Sequence, residues 1–85
     1  MRRVIFEGGP SEDFTGWVSQ DKRIHVKIVE LIRDIQRSPF TGLGKPEPLK
    51  HDLAGYRSRQ INDEHRLVYK VTDEAIVIAA CRYQY

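Results

Sequence analysis

The sequence predicts an α+β domain whose helices cover one face of an antiparallel sheet. Three observations predict it. Apolar residues recur at helical spacing in the first half, strand-like runs fill the second half, and short polar turns join those runs. Helices grouped before strands argue for α+β rather than the alternating pattern of a parallel sheet. The 85 residues make a single domain, 1–85. A chain this short buries only about 60–65 % of its unfolded surface, so its core is thin.

The elements follow in order. "RRVIFEG" carries β-branched residues and stops at Gly8-Gly9, which predicts a first strand. "GPSEDFTGWVSQ" offers Gly9 or Ser11 as a helix cap, Pro10 near the first turn, and Glu12 and Asp13 where the helix dipole favours acids. Phe14, Trp17 and Val18 fall at i, i+3 and i+4 and form one apolar stripe. The longest periodic element is "DKRIHVKIVELIRDIQRS". Ile24, Ile28, Leu31, Ile32 and Ile35 line one side, and Lys22, Lys27, Glu30, Arg33, Asp34 and Arg37 lie mostly elsewhere. Ser38-Pro39 ends that helix, because a residue before proline avoids the helical region.

"FTGLGKPEPLKHDLAG" is then a long loop for so small a domain, and such loops are usually functional. Three strand-like runs follow, "YRSRQI", "HRLVYKV" and "AIVIAACRY", joined by the short polar turns "NDE" and "TDE" as antiparallel hairpins. With helices on one sheet face, the other stays partly open. Leu67, Tyr69 and Val71 share one face of their strand, and Arg66, Val68 and Lys70 share the other. If the first set faces the core, Arg66 projects from the open face. Arg57, Arg59 and Ile61 oppose Tyr56, Ser58 and Gln60, and periodicity does not decide which of these sets faces in.

Composition narrows the function. Hydrophobic residues at 40 % and charged residues at 31 % describe a folded globular chain. A net charge of +2 does not by itself identify a nucleic-acid binder. Its distribution says more. Basic residues gather in "GKPEPLKH", "GYRSR" and "EHRLVYK", and a like-signed cluster in a cleft attracts phosphate even at small net charge. The one cysteine, Cys81, forms no internal disulfide, which fits a reducing cytoplasm. No apolar run approaches the roughly 20 residues of a membrane span, and "MRRVIFEGGPSEDF" lacks the apolar region of a signal peptide.

Several chemistries are disfavoured. His25, His51 and His65 lack ligand spacing, so no metal is expected. "GLGKPEP" follows a helix rather than a strand, unlike a phosphate-binding loop. Cys81 sits mid-strand among alanines and reads more readily as a small core residue than as a nucleophile. What remains is an acid in a basic neighbourhood. Glu47 lies between Pro46 and Pro48, with Lys45 and Lys50 close by. Pattern alone allows a solvent-exposed loop carboxylate, or a general base held above the open face opposite Arg66. The second arrangement suits RNA cleavage. A base takes the 2′-hydroxyl proton, the oxygen attacks phosphorus, and an arginine steadies the growing negative charge.

"TGLGKPEPLKHDLAG", "SRQINDEHRLVYKVTDE" and the terminal "IAACRYQY" closely resemble the YoeB toxins of bacterial toxin–antitoxin modules, in the RelE superfamily. "DKRI" before the long helix also fits. The resemblance covers almost the whole chain and is densest from Ser38 to Tyr85. It implies the compact RelE-like microbial RNase fold and a metal-independent, ribosome-dependent endoribonuclease that cuts messenger RNA in the A site by 2′-OH attack. It implies Glu47 as general base, Arg66 as the phosphate-stabilising arginine, and Tyr85 as a residue that shapes the site. It places Lys50 and Arg59 at positions expected to contact RNA phosphates.

The chain also departs from the family pattern. The better-known ending reads Arg-Tyr-His-Tyr with the histidine as general acid, and this chain has Gln84 there. An amide donates a hydrogen bond but delivers no proton near neutral pH. Either the ribosome or water supplies the proton, or Tyr85 does, or the enzyme is weak. Gln60 stands where family members often carry a second arginine. The implied partners are messenger RNA, the 70S ribosome and an acidic YefM-like antitoxin, with a homodimer as a further assembly and neither cofactor nor membrane. The competing expectations are a protein that occupies ribosomes without cutting, and a ParE-like relative that poisons a topoisomerase.

Overall fold

The computed structural model describes residues 1–83. Strand β1 (Arg3–Phe6) leads into helices α1 (Gly8–Gln20) and α2 (Lys22–Arg37). Four strands follow: β2 (Glu47–Pro48), β3 (Arg57–Gln60), β4 (Arg66–Val71) and β5 (Ala75–Ala80). They form one sheet in the order β1-β5-β4-β3-β2. Strands β2 to β5 pair antiparallel, as expected of the two hairpins, whereas β1 pairs with β5 in parallel. A parallel pair needs a long crossover, and the helices and the intervening strands supply it. The expected three strands after the helices become four, because two residues of the long loop pair with β3. An element that short has no periodicity to read.

Helix α2 forms where its pattern predicts. Asp21 caps it by accepting the Arg23 N–H at 3.0 Å, and Arg37 sits in the last turn, where a cation suits the dipole. Its residues Ile24, Ile28, Leu31, Ile32 and Ile35 are all buried. Each contributes roughly 1.5–3 kcal/mol of apolar burial before ordering costs. Helix α1 begins earlier than expected. Glu7 is its cap residue and makes no side-chain capping bond, the Ser11 N–H reaches the Glu7 carbonyl at 3.0 Å, and Glu12 and Asp13 fall beyond the first turn. Pro10 is tolerated because first-turn N–H groups lack helical partners in any case. The α1 stripe is narrower than its spacing suggests. Trp17 is buried and Phe14 half-buried, but Val18 is exposed.

Between helices and sheet lie the α2 residues with Trp17, Ile61, Leu67, Tyr69, Ile76, Ile78 and Cys81. Leu67 and Tyr69 face in, so β4 takes the orientation that points Arg66 away from the helices. Register settles β3 as well. Arg59 pairs with Leu67 and Ser58 with Val68, so Arg59 goes inward with Leu67. Between Val68 and Tyr69 the register with β5 shifts, and Ala79 is the extra residue. Such a bulge bends and twists a strand locally. Among the described residues no helix is long and apolar enough to cross a membrane.

Candidate active site

The long loop is held from inside the protein. Arg59 is fully buried, and every N–H of its guanidinium has a partner. Nε donates to the Tyr69 hydroxyl at 3.2 Å. Nη1 donates to Asp34 Oδ2 at 2.6 Å and to the Leu43 carbonyl at 3.2 Å. Nη2 donates to the carbonyls of Ser38 at 2.7 Å and Thr41 at 2.9 Å. The Tyr69 hydroxyl in turn donates to the Pro39 carbonyl at 3.0 Å. Asp34 completes the clamp by accepting the Leu43 N–H at 3.0 Å. That backbone donor, and then Arg59, hold the Asp34 carboxyl below its ordinary value. Gly42 must be glycine here: its φ is 122°, and a Cβ would collide with the Asp34 carboxylate.

Past Gly44 the loop zips onto β3. The Gln60 N–H donates to the Gly44 carbonyl at 2.6 Å, Glu47 and Pro48 pair with Ser58 and Arg57, and the Leu49 N–H donates to the Tyr56 carbonyl at 2.9 Å. Pro46 and Pro48 suit this position, because an edge strand tolerates missing donors. Partners opposite each other in an antiparallel ladder point to the same face. Glu47, Ser58 and Val68 therefore form one row on the face away from the helices. Gln60 and Arg66 form the neighbouring row.

Arg66 joins these rows. Its Nε donates to the buried Ser58 hydroxyl at 3.1 Å, and its Nη2 lies 3.2 Å from Glu47 Oε1. The arginine side chain is 17 % exposed and the glutamate 53 %, so the pair opens to solvent on the carboxylate side. A carboxylate of this kind can accept a proton, and a guanidinium beside it can receive negative charge developing on a substrate. Ser58 fixes the guanidinium plane. Periodicity gave no reason to single it out, since a serine in a strand carries no signal until its neighbours are known.

The structure brings together Glu47 and Arg66 and separates Arg59 from them. Arg59 was expected at RNA phosphate, but its guanidinium is enclosed on the helix side of the sheet and occupied by the loop. That expectation is corrected. Lys50 is exposed just before a 3-10 turn, His51–Leu53. Gln84 and Tyr85 lie outside the described residues. Tyr83 is held at its backbone: its carbonyl accepts the Arg66 N–H at 3.0 Å, and its N–H donates to His65 Nδ1 at 2.6 Å. Cys81 is buried, and burial pushes its thiol up to about 12, which suits an inert core residue. Among the described residues no three His, Cys, Asp or Glu side chains are grouped so as to hold a metal ion.

Comparison with known proteins gives the family. Residues 6–85 match the family of YoeB-like toxins of bacterial type II toxin–antitoxin systems. Toxin YoeB of Escherichia coli K12 is 61 % identical over 83 residues, covering 98 % of this chain and 99 % of that protein. The YoeB dimer of Staphylococcus aureus superposes with a TM-score of 0.93 at 46 % identity, covering 99 % of this chain and 98 % of that one. YoeB in a YoeB–YefM complex from the same organism superposes with a TM-score of 0.92 at 44 % identity, covering 100 % and 99 %. The chain belongs to the YoeB-like toxins of bacterial type II toxin–antitoxin systems.

Proposed function

We propose that this toxin is a ribosome-dependent endoribonuclease that cuts messenger RNA in the A site without a metal ion. The observation that carries the reading is the Glu47–Arg66 pair at 3.2 Å on the open sheet face, oriented by Ser58. Glu47 takes the proton of a 2′-hydroxyl, and the freed oxygen attacks the adjacent phosphorus. Arg66 stabilises the charge that builds on the non-bridging oxygens. The bond to the 5′-oxygen breaks, and that oxygen leaves with a proton, giving a 2′,3′-cyclic phosphate and a 5′-hydroxyl. Positioned acid–base groups of this kind are worth about 10²–10⁴-fold each.

The proton for the leaving oxygen comes from water or the ribosome with Gln84 placing it, or from Tyr85. Lys50 supplies phosphate contact beside Glu47, and Arg59 takes no part in it. The toxin acts in the cytoplasm. An acidic YefM-like antitoxin segment that covers the open face silences it, and a second copy of the chain is a further partner. Gln84 favours one competing reading, a ribosome blocker that does not cut.

Primer extension on messenger RNA held by programmed ribosomes decides between them. Cleavage in the A-site codon by the wild type, lost in Glu47→Ala, supports the nuclease. Ribosome binding by both proteins with no cut product from either would leave the blocker.

A further inference from the structure

We propose that His65 is a positioning residue of this site, its Nδ1 lone pair holding Tyr83 in a left-handed kink beside Arg66. The inference rests on the reading that Gln84 and Tyr85, which follow Tyr83, serve the reaction. Tyr83 has φ 61°. For a bulky residue that region is sparsely occupied and costs about 1–3 kcal/mol, and it persists only where the surroundings over-determine it. The side chain is not what over-determines it, because Tyr83 is 57 % exposed. The backbone is gripped instead. Its N–H donates to His65 Nδ1 at 2.6 Å, and its carbonyl accepts the N–H of the next residue in β4, Arg66, at 3.0 Å. The kink is thereby tied to the residue that carries the arginine of the site.

His65 is built to hold. Its ring is buried, edge-on to Trp17 with centroids 4.9 Å apart, and 5.4 Å from the Tyr83 ring. Its N–H donates to Asn62 Oδ1 at 2.8 Å, and its carbonyl accepts the N–H groups of Ile61 at 3.0 Å and Asn62 at 3.2 Å. The β3–β4 turn thus fixes the backbone under the ring. Because Nδ1 accepts, the ring proton resides on Nε2, which lies 3.4 Å from Glu64 Oε1. A histidine that only filled space against Trp17 would need none of this polarity, and leucine would replace it.

Nuclear magnetic resonance tests the grip directly, with cleavage as the second readout. In the wild type, the Tyr83 amide should show a coupling through its hydrogen bond to His65 Nδ1 and slow exchange with solvent. In His65→Leu, protection of that amide should fall at least about tenfold. On programmed ribosomes kcat should fall about 10–100-fold, as for a misplaced site group, with KM unchanged. His65→Asn keeps an acceptor at the Nδ1 position and should restore most of both. Absence of the wild-type coupling overturns the proposal, as does a folded His65→Asn as defective as His65→Leu. If His65→Leu fails to fold, the coupling and the asparagine variant still decide. Protection lost in leucine and kept in asparagine supports the proposal even in a chain that cuts nothing, an outcome that sinks only the nuclease reading.

Discussion

Two acid–arginine pairs lie on opposite faces of the same sheet in opposite surroundings. Asp34 and Arg59 meet at 2.6 Å on the helix side, with Arg59 fully enclosed. Glu47 and Arg66 meet at 3.2 Å on the open side, with the carboxylate half exposed. The first guanidinium spends every N–H on the loop and its neighbours and can receive no substrate. The second is steadied by Ser58 and faces a carboxylate open to solvent. The two arginines sit on adjacent strands and look alike in the sequence. Burial separates an enclosed scaffold from a pair that reaches solvent.

Removing the buried arginine should have the largest effect. Arg59→Leu leaves Asp34 and three loop carbonyls without their partner, and breaking a buried pair costs about 3–5 kcal/mol. That is a large share of a small domain's stability of about 5–15 kcal/mol. Urea unfolding should show a much lower midpoint. A midpoint within experimental scatter of the wild type would break the contrast. The open pair should respond the other way. Glu47→Gln should lower A-site cleavage about 10²–10⁴-fold while the unfolding midpoint barely moves, since exposed pairs contribute only about 0–1 kcal/mol. A large loss of stability in Glu47→Gln would mean that both pairs are structural.

Gly42→Ala sharpens the comparison through the loop rather than the arginine. The added methyl meets the Asp34 carboxylate at a φ that alanine resists, so a loss of about 1–3 kcal/mol is expected in the same assay. The smallest effect should come from pH. The Asp34 carboxyl is held below its ordinary value of 3.8 in the folded state. The stability it contributes is therefore fully present above the unfolded value and lost as pH falls through the folded one. The melting temperature of the wild type should drop more steeply than that of Asp34→Asn as pH falls below about 4. Parallel curves would remove the electrostatic part of the clamp.

Much of this was legible in the residues. The isoleucine stripe of α2 placed that helix, because helical periodicity over 16 residues is self-consistent. Arg66 was placed on the open side on the condition that Leu67 and Tyr69 face the core, and both are buried. Glu47 stood out through its prolines and flanking lysines. The start of α1 was misplaced because Glu7 caps with no side-chain bond, leaving no residue signature. The resemblance put Arg59 at RNA phosphate, and strand periodicity raised no objection because a period of two defines two faces without saying which is buried. An arginine buried on the strength of three carbonyls from a distant loop leaves no local trace.

The sequence by itself determined the family, the order of helices and hairpins, and the α2 core stripe, and it singled out Glu47 and Arg66 as candidates. These depend on local periodicity and on motifs contiguous in the chain. Only the tertiary structure decided that β1 joins β5 in parallel, that Glu47 is pinned in a two-residue strand, and that Ser58 orients Arg66. It alone turned Arg59 inward and gave His65 its hold on Tyr83. Each of these is a contact across strands or between elements, set by register and burial, and such contacts exist only once the sheet has closed against its helices.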